Sequence, residues 1–189
     1  CSGTTSGTAE LIVNALPTAS VSGDLIFCAG SEASLFITLS GEANYSLTYS
    51  IDGAIQSALN ITDPSTFELL TSTIGEYELI SISDANCTGT VSGIVNISQQ
   101  ELPTAILQLD SFTICEGSTQ TLEVVLTGNP DWTLVYSIDG APQTSLQYTS
   151  SPIEIIAGDE GVYELISISD DLCANATNTN QVQIDFYPP

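Results

Sequence analysis

Apolar and polar residues alternate singly along much of this chain. Leu35, Ile37 and Leu39 are interleaved with Phe36 and Thr38, and Leu122, Val124 and Leu126 follow the same pattern. Tyr45, Leu47, Tyr49 and Ile51 step along one face of a next segment, as do Trp132, Leu134, Tyr136 and Ile138. A period of two places such residues on one side of a pleated strand, so each segment predicts a half-buried β-strand with these residues in the core. Asp52-Gly53 and Asp139-Gly140 follow directly. Asp-Gly supplies the positive φ angles of a tight hairpin turn. Gly41, Gly128 and Asn129-Pro130 mark further turns. No segment combines helical periodicity with caps at both ends.

The pattern repeats. Leu16-Pro17-Thr18-Ala19 returns as Leu102-Pro103-Thr104-Ala105, and the eight residues Tyr77 to Asp84 return intact as Tyr163 to Asp170, both at an offset of 86. Tyr49 to Ala54 returns as Tyr136 to Ala141 at 87. Cys1-Ser2-Gly3-Thr4 matches Cys87-Thr88-Gly89-Thr90, which makes residues 1–15 the last strand of a preceding copy and the chain a piece of a longer array. Residues 16–101 and 102–189 are then two complete copies. About seven short strands in each fit a two-sheet sandwich. Asp159-Glu160-Gly161-Val162-Tyr163 matches the D-x-G-x-Y pattern that opens strand F of immunoglobulin-like domains, where the Tyr hydroxyl ties back to the backbone in a tyrosine corner. The first copy keeps Gly75-Glu76-Tyr77 but has Thr73 in place of the Asp. The expected fold is therefore all-β: tandem immunoglobulin-like β-sandwiches arranged as a rod, with tyrosine corners at Tyr77 and Tyr163. Leu79 and Leu165 stand where antibody domains carry a cysteine, so the antibody-type disulfide is absent and the core there is aliphatic.

Charge narrows the function classes. The 189 residues include 23 acidic side chains and no Lys, Arg or His, a formal charge of −23. Nucleic acids and anionic membrane surfaces are bound through Lys and Arg, so neither is an expected partner. The usual general base, the Schiff-base amine and the commonest metal ligand are also missing. At 42% hydrophobic the chain is too apolar for a disordered acidic segment, and no apolar stretch reaches the length of a membrane-spanning helix.

Five cysteines fall into two kinds: Cys28 and Cys115 precede the second strand, and Cys1, Cys87 and Cys173 follow strand F. Regular recurrence in an exported-looking chain argues for structural disulfides. Thiolate metal sites lack their C-x-x-C spacing, and a catalytic thiol would lack a His partner. Two pairings stay open. One is within a copy, Cys28 with Cys87 and Cys115 with Cys173. The other joins Cys28 to Cys173 across the domain junction, leaving Cys87 and Cys115 for neighbours. In a sandwich the two turns lie at opposite ends, separated by about 26 Å of strand, whereas bonded Cα atoms lie within about 7 Å. That topology leans toward the second scheme.

Other candidates weigh less. Asp84 with Asn86, Asp170 with Asp171, and Asp159 with Glu160 are isolated pairs without a calcium-loop pattern, and read as solvated turn residues rather than a Ca²⁺ site. Asn44, Asn60, Asn86, Asn96 and Asn175 sit in N-x-[ST] triplets, a weak signal in a chain rich in Ser and Thr. A carboxylate pair for glycoside hydrolysis is not repeated: Glu76 becomes Val162 and Glu42 becomes Asn129. No catalytic residue, metal ligand or cofactor is expected. Trp132, Tyr49 and Tyr136 read as core rather than sugar platforms.

The motifs Leu-Pro-Thr-Ala, Phe27-Cys28-Ala29-Gly30-Ser31 (Ile114-Cys115-Glu116-Gly117-Ser118 in the second copy) and Ser83-Asp84-Ala85-Asn86-Cys87-Thr88-Gly89-Thr90 resemble the tandem Ig-like repeats of very large Bacteroidota surface proteins, above all gliding-motility adhesins of the SprB type. The resemblance covers the whole chain, including the partial copy at 1–15, and the second copy departs from it at Asp170-Asp171-Leu172-Cys173-Ala174-Asn175, keeping the cysteine. It implies export by the type 9 secretion system and an extracellular place in a filament on the outer membrane. The implied role is structural and adhesive, with neighbouring repeats as partners and the motility or secretion machinery engaged through other parts of the protein. A glycan- or protein-binding module, with loops 84–90 and 170–178 as its contact region, and a spacer of a secreted hydrolase are the alternatives.

Overall fold

The computed structural model describes residues 7–8, 10, 13–62, 65–108, 111–175 and 181–188, so the expected tail of a preceding copy at 1–15 lies mostly outside the described residues. Every regular element among the described residues is a β-strand. Two compact units form: residues 1–27 with 31–98, and residues 28–30 with 99–189.

The first copy contributes β1 (Thr18–Ser20), β2 (Leu25–Cys28), β3 (Ala33–Ser40), β4 (Tyr45–Ile51), β5 (Ala54–Ile55), β6 (Leu59–Ile61), β7 (Thr66–Thr71), β8 (Gly75–Ser83), β9 (Thr90–Ser92) and β10 (Ile94–Gln100). They form two sheets in the orders β7-β3-β1-β9 and β2-β10-β8-β4-β5, with β6 also paired to β4. The second copy contributes β11 (Thr104–Leu107), β12 (Phe112–Ile114), β13 (Gln120–Thr127), β14 (Trp132–Ile138), β15 (Ala141–Pro142), β16 (Leu146–Tyr148), β17 (Ile153–Ala157), β18 (Gly161–Ser169), β19 (Ala174–Asn175) and β20 (Gln181–Phe186). Its sheets run β11-β13-β17 and β12-β20-β18-β14-β15, with β16 on β14 and β19 on β18. Two facing sheets in each unit make the expected immunoglobulin-like sandwich, twice in tandem. The additional strands beyond seven are short. They include β2 and β12, whose three or four residues follow the opening strand of each copy.

Burial follows the alternation in β3, where Ala33, Leu35, Ile37 and Leu39 point inward and Phe36 lies 57% exposed. In the core Leu35, Ile37 and Leu39 meet Tyr45, Leu47 and Tyr77, and each buried aliphatic side chain contributes about 1.5–3 kcal/mol. Leu122, Val124 and Leu126 do the same in the second unit against Trp132, Leu134 and Tyr163.

The alternation fails midway along β4. The register with β8 shifts between Thr48 and Tyr49, because Thr48 faces Ser81 and Tyr49 faces Leu79, which leaves Ile80 unopposed. This bulge moves Tyr49 and Ile51 to half-buried positions at the margin of the core and turns Ser50 inward, where it is 2% exposed. The second copy repeats the shift between Val135 and Tyr136, with Ser137 inward. The expectation that all four odd-numbered residues of β4 share the core face is corrected by this one extra residue.

Candidate functional site

Each hairpin turn is locked to the strand beside it. Asp52 and Gly53 have φ of 49° and 77°, and Asp139 and Gly140 have 50° and 77°, the two positive angles of a type I′ turn. Only two residues separate the paired strands: Ile51 faces Ala54 and Ile138 faces Ala141. Asp52 donates its N–H to the Glu76 carbonyl at 2.9 Å, and its Oδ1 accepts the Glu76 N–H at 2.8 Å. Asp139 pairs with Val162 in the same two ways, each at 2.9 Å.

The tyrosine of each F strand is tied to the backbone just upstream of that strand. Tyr77 Oη donates to the Thr73 carbonyl at 2.9 Å and shares a second hydrogen bond of 2.9 Å with Thr71 Oγ1. Tyr163 Oη donates to the Asp159 carbonyl at 3.2 Å. A hydroxyl tied to backbone a few residues upstream is the tyrosine corner. The rings stack nearly parallel on Tyr49 and Tyr136, with centroids 6.0 Å and 6.3 Å apart. Burial pushes the Tyr163 hydroxyl above its usual pKa; N–H donors at Asp159 and Gly158 oppose this, and the Asp159 and Tyr136 charges add to it.

After each F strand the chain makes a tight turn around one aspartate. Asp84 Oδ1 accepts the N–H of Asn86 at 2.8 Å and of Cys87 at 2.7 Å, and the Asp84 N–H donates to the Cys87 carbonyl at 2.9 Å. Asp170 Oδ1 accepts from Leu172 at 3.0 Å and Cys173 at 2.7 Å, and its N–H donates to the Cys173 carbonyl at 2.8 Å. Its second oxygen accepts from the Asn129 N–H at 3.1 Å. Burial alone would raise the Asp170 carboxyl; the N–H groups of Cys173, Leu172 and Asn129 outweigh it and hold the carboxyl below its usual range. The acids set aside as Ca²⁺ candidates are thus engaged by backbone N–H groups at Asp84 and Asp170.

These turns carry the cysteines. Cys28, the last residue of β2, is bonded to Cys173, with Cα atoms 5.8 Å apart and a sequence separation of 145. Residues 28–30 group with the second unit, so both sulfurs belong to that unit, and Ala29 donates to the Gln100 carbonyl there at 2.8 Å. Cys173 is 3% exposed. The pairings within a copy, Cys28 with Cys87 and Cys115 with Cys173, are not formed. Cys87 and Cys115 hold free thiols, the first half-buried and the second exposed.

A cleft of about 710 Å³ opens in the second unit, lined by Asp131, Trp132, Gln147, Tyr148, Asp170 and Asp171 among others. Trp132 is 6% exposed and its Nε1–H donates to the Thr127 carbonyl at 3.0 Å, so its ring belongs to the core rather than to a stacking platform. Of the loop 170–178, residues 176–178 lie outside the described residues. Among the described residues no helix is long and apolar enough to cross a membrane. The alternation missed the Asp52–Glu76 and Asp139–Val162 locks; the recurrence of Asp-Gly upstream of a Gly-x-Tyr was the signal that could have found them.

A family model described as the nucleoporin POM152 Ig-like domain matches the chain twice, over residues 17–94 and 104–182. Among solved structures the chain is similar to an I-band fragment of titin, domains I67–I69, at 14% identity and a TM-score of 0.59, covering 90% of this chain and 63% of that one. An E-to-A variant of the same three titin domains gives 14% identity and 0.58 with the same coverage. The chain thus spans less than two thirds of the titin fragment, and at this identity the likeness is one of fold. A search of curated proteins finds no match.

Proposed function

Because the chain belongs to the Ig-like domain family, as two tandem domains, we propose that it is a structural and adhesive segment of a long extracellular filament attached to the outer membrane. The observation that carries this reading is the bond from Cys28 to Cys173, which ties a residue of each copy into a covalent loop suited to bearing tension. The repeat motifs shared with gliding-motility adhesins support export through the type 9 secretion system and a place in an adhesin stalk. Neighbouring repeats are its direct partners, and motility or secretion machinery is engaged by other parts of the protein. A charge of −23 without a single cation supports a role away from nucleic acid and membrane lipid, and keeps filaments from associating side by side. The mechanism is mechanical, with strand ladders carrying load, and no residue is assigned a catalytic step.

An antibody against this segment, applied to intact living cells and followed by microscopy, tests the reading. Label that travels along the cell surface supports the gliding stalk. Label that stays fixed would leave a static surface filament, and label found only in the medium would favour a spacer of a secreted hydrolase. The cleft beside Asp131 and Asp171 favours a second reading, a glycan- or protein-binding module. A glycan-array signal abolished by truncating loops 84–90 and 170–178 would establish it.

A further inference from the structure

We propose that Cys115 and Cys87 are the two halves of the same bond, each waiting for another copy of this repeat: Cys115 for the cysteine after strand F of the copy that follows, and Cys87 for the cysteine before the second long strand of the copy that precedes. The inference deepens the array reading and rests on it. Two independent observations carry it. Cys28, the counterpart of Cys115, is bonded to Cys173, the counterpart of Cys87, so one example of the pairing is present. Cys87 is also held as Cys173 is: an aspartate three residues upstream accepts the cysteine N–H at 2.7 Å in both, and the return bond to the cysteine carbonyl is 2.9 Å and 2.8 Å. Cys115 directly follows β12 as Cys28 ends β2, and its thiol is exposed. The turn that holds the bonded Cys173 is therefore repeated at Cys87, and Cys115 stands at the end of the strand equivalent to that of the bonded Cys28.

Each bond forms by exchange with an oxidised low-molecular-weight disulfide such as glutathione disulfide. One cysteine thiolate attacks the donor and expels a donor thiolate; the partner thiolate then displaces the second. Two protons leave the protein and the donor is reduced to two thiols. Successive loops overlap, because Cys115 lies in sequence between Cys28 and Cys173. Residues 115–173 would then sit inside two closed loops at once, and reducing either bond alone would not free them to extend.

The test continues the 189-residue chain with a second copy of residues 104–189 that carries Glu116→Ala and Leu172→Val, two exposed positions whose change gives each of its cysteine peptides a mass distinct from the original. The chain is oxidised with glutathione disulfide, its remaining thiols are alkylated, and its peptides are mapped without reduction. Pepsin or thermolysin is required, since the chain has no Lys or Arg for trypsin. The expected map has Cys28 bonded to Cys173 and Cys115 bonded to the added copy's Cys173, with Cys87 alkylated. Cys115 alkylated while Cys28–Cys173 is intact would overturn the proposal, as would a bond between Cys115 and Cys173 of the added copy itself. Emission that is blue-shifted throughout, with no red-shifted component beside that of the original Trp132, shows that the added Trp132 is buried and that this copy folds. If it does not, continuation by residues 18–101 carrying Ala85→Ser, an exposed position that marks the added Cys87 peptide by mass, offers Cys87 as the same kind of partner and is read in the same way. Failure here leaves the cell-surface result standing, and a failed surface label leaves this map standing.

Discussion

Gly161 lies against the carboxylate of Asp139. A Cβ built on Gly161 would stand 2.6 Å from Asp139 Oδ2, and the residue's φ of +146° is one that L side chains rarely adopt. The same relationship joins Gly75, at +142°, to Asp52 at 2.7 Å. The hairpin aspartate and the glycine of D-x-G-x-Y are therefore one device, in which the missing side chain lets the carboxylate reach the next backbone N–H.

Gly161→Ala should accordingly cost about 2–4 kcal/mol, from backbone strain and the collision with Asp139. Asp139→Asn keeps an acceptor for the Val162 N–H and should cost less than about 1 kcal/mol. Urea unfolding followed by Trp132, the only tryptophan in the chain, reads the second unit directly. Equal midpoints for Gly161→Ala and the parent would refute the account.

The two tyrosine corners should not be equally strong. Tyr77 Oη has partners at 2.9 Å on both Thr73 and Thr71, whereas the contacts of Tyr163 with Asp159 are longer, at 3.2 and 3.3 Å. Tyr77→Phe should lose about 1–2 kcal/mol and Tyr163→Phe about 0.5–1 kcal/mol. Denaturation followed by circular dichroism would compare them, and a larger loss at Tyr163 would contradict the geometry.

Sandwich and repeat were legible in the sequence because both rest on local signals: single alternation, Asp-Gly turns and self-similarity. Ser50 and Ser137 were not, because a bulge depends on the partner strand, and nothing within β4 announces that Ile80 will stand unopposed. The partner of Cys28 was left between two schemes for a related reason. Recurrence fixes which cysteines are equivalent, while pairing depends on which ends of the fold come within 7 Å. Gly75 and Gly161 could be read as turn formers, yet their contact with an aspartate more than twenty residues upstream is a tertiary fact.

Alkaline pH should weaken the fold from about pH 10 upward. Tyr45, Tyr49, Tyr148 and Tyr163 all have pKa values raised above 10.0, chiefly by burial. On the alkaline side the unfolded chain loses these protons first, so stability is intact below pH 10 and falls as pH rises through the folded values. Asp170 acts at the other end: its lowered pKa contributes stability above the ordinary carboxyl value of 3.8 that is lost as pH falls through the folded value. Unfolding midpoints measured from pH 3 to 11.5 should show both declines. A flat profile above pH 10 would mean that these hydroxyls ionise while folded.

Salt should stabilise this protein. With 23 acidic side chains and no Lys, Arg or His, side-chain charge interactions are repulsive throughout. Raising ionic strength from 0.01 to 0.15 M shortens the screening length from about 30 to about 8 Å. The melting temperature should rise with NaCl, by about 4–8 °C for each kcal/mol of repulsion removed. A fall with added NaCl would show that hydrogen-bonded carboxylates such as Asp139 and Asp170 matter more than the net charge.

Pulling the chain by its ends gives the most direct reading of the Cys28–Cys173 bond. Force enters at one terminus, reaches Cys28, and crosses the disulfide to Cys173, so the 145-residue separation between them is bypassed. At about 3.4 Å per extended residue, roughly 490 Å of contour is withheld from extension. Force spectroscopy under reducing conditions should release that length in unfolding events of the two domains, and the oxidised chain should not release it. Cys28→Ser should behave as the reduced chain in either condition. If the oxidised parent extended as far as Cys28→Ser, the loop would not be closed in solution and the load-limiting role would fall with it.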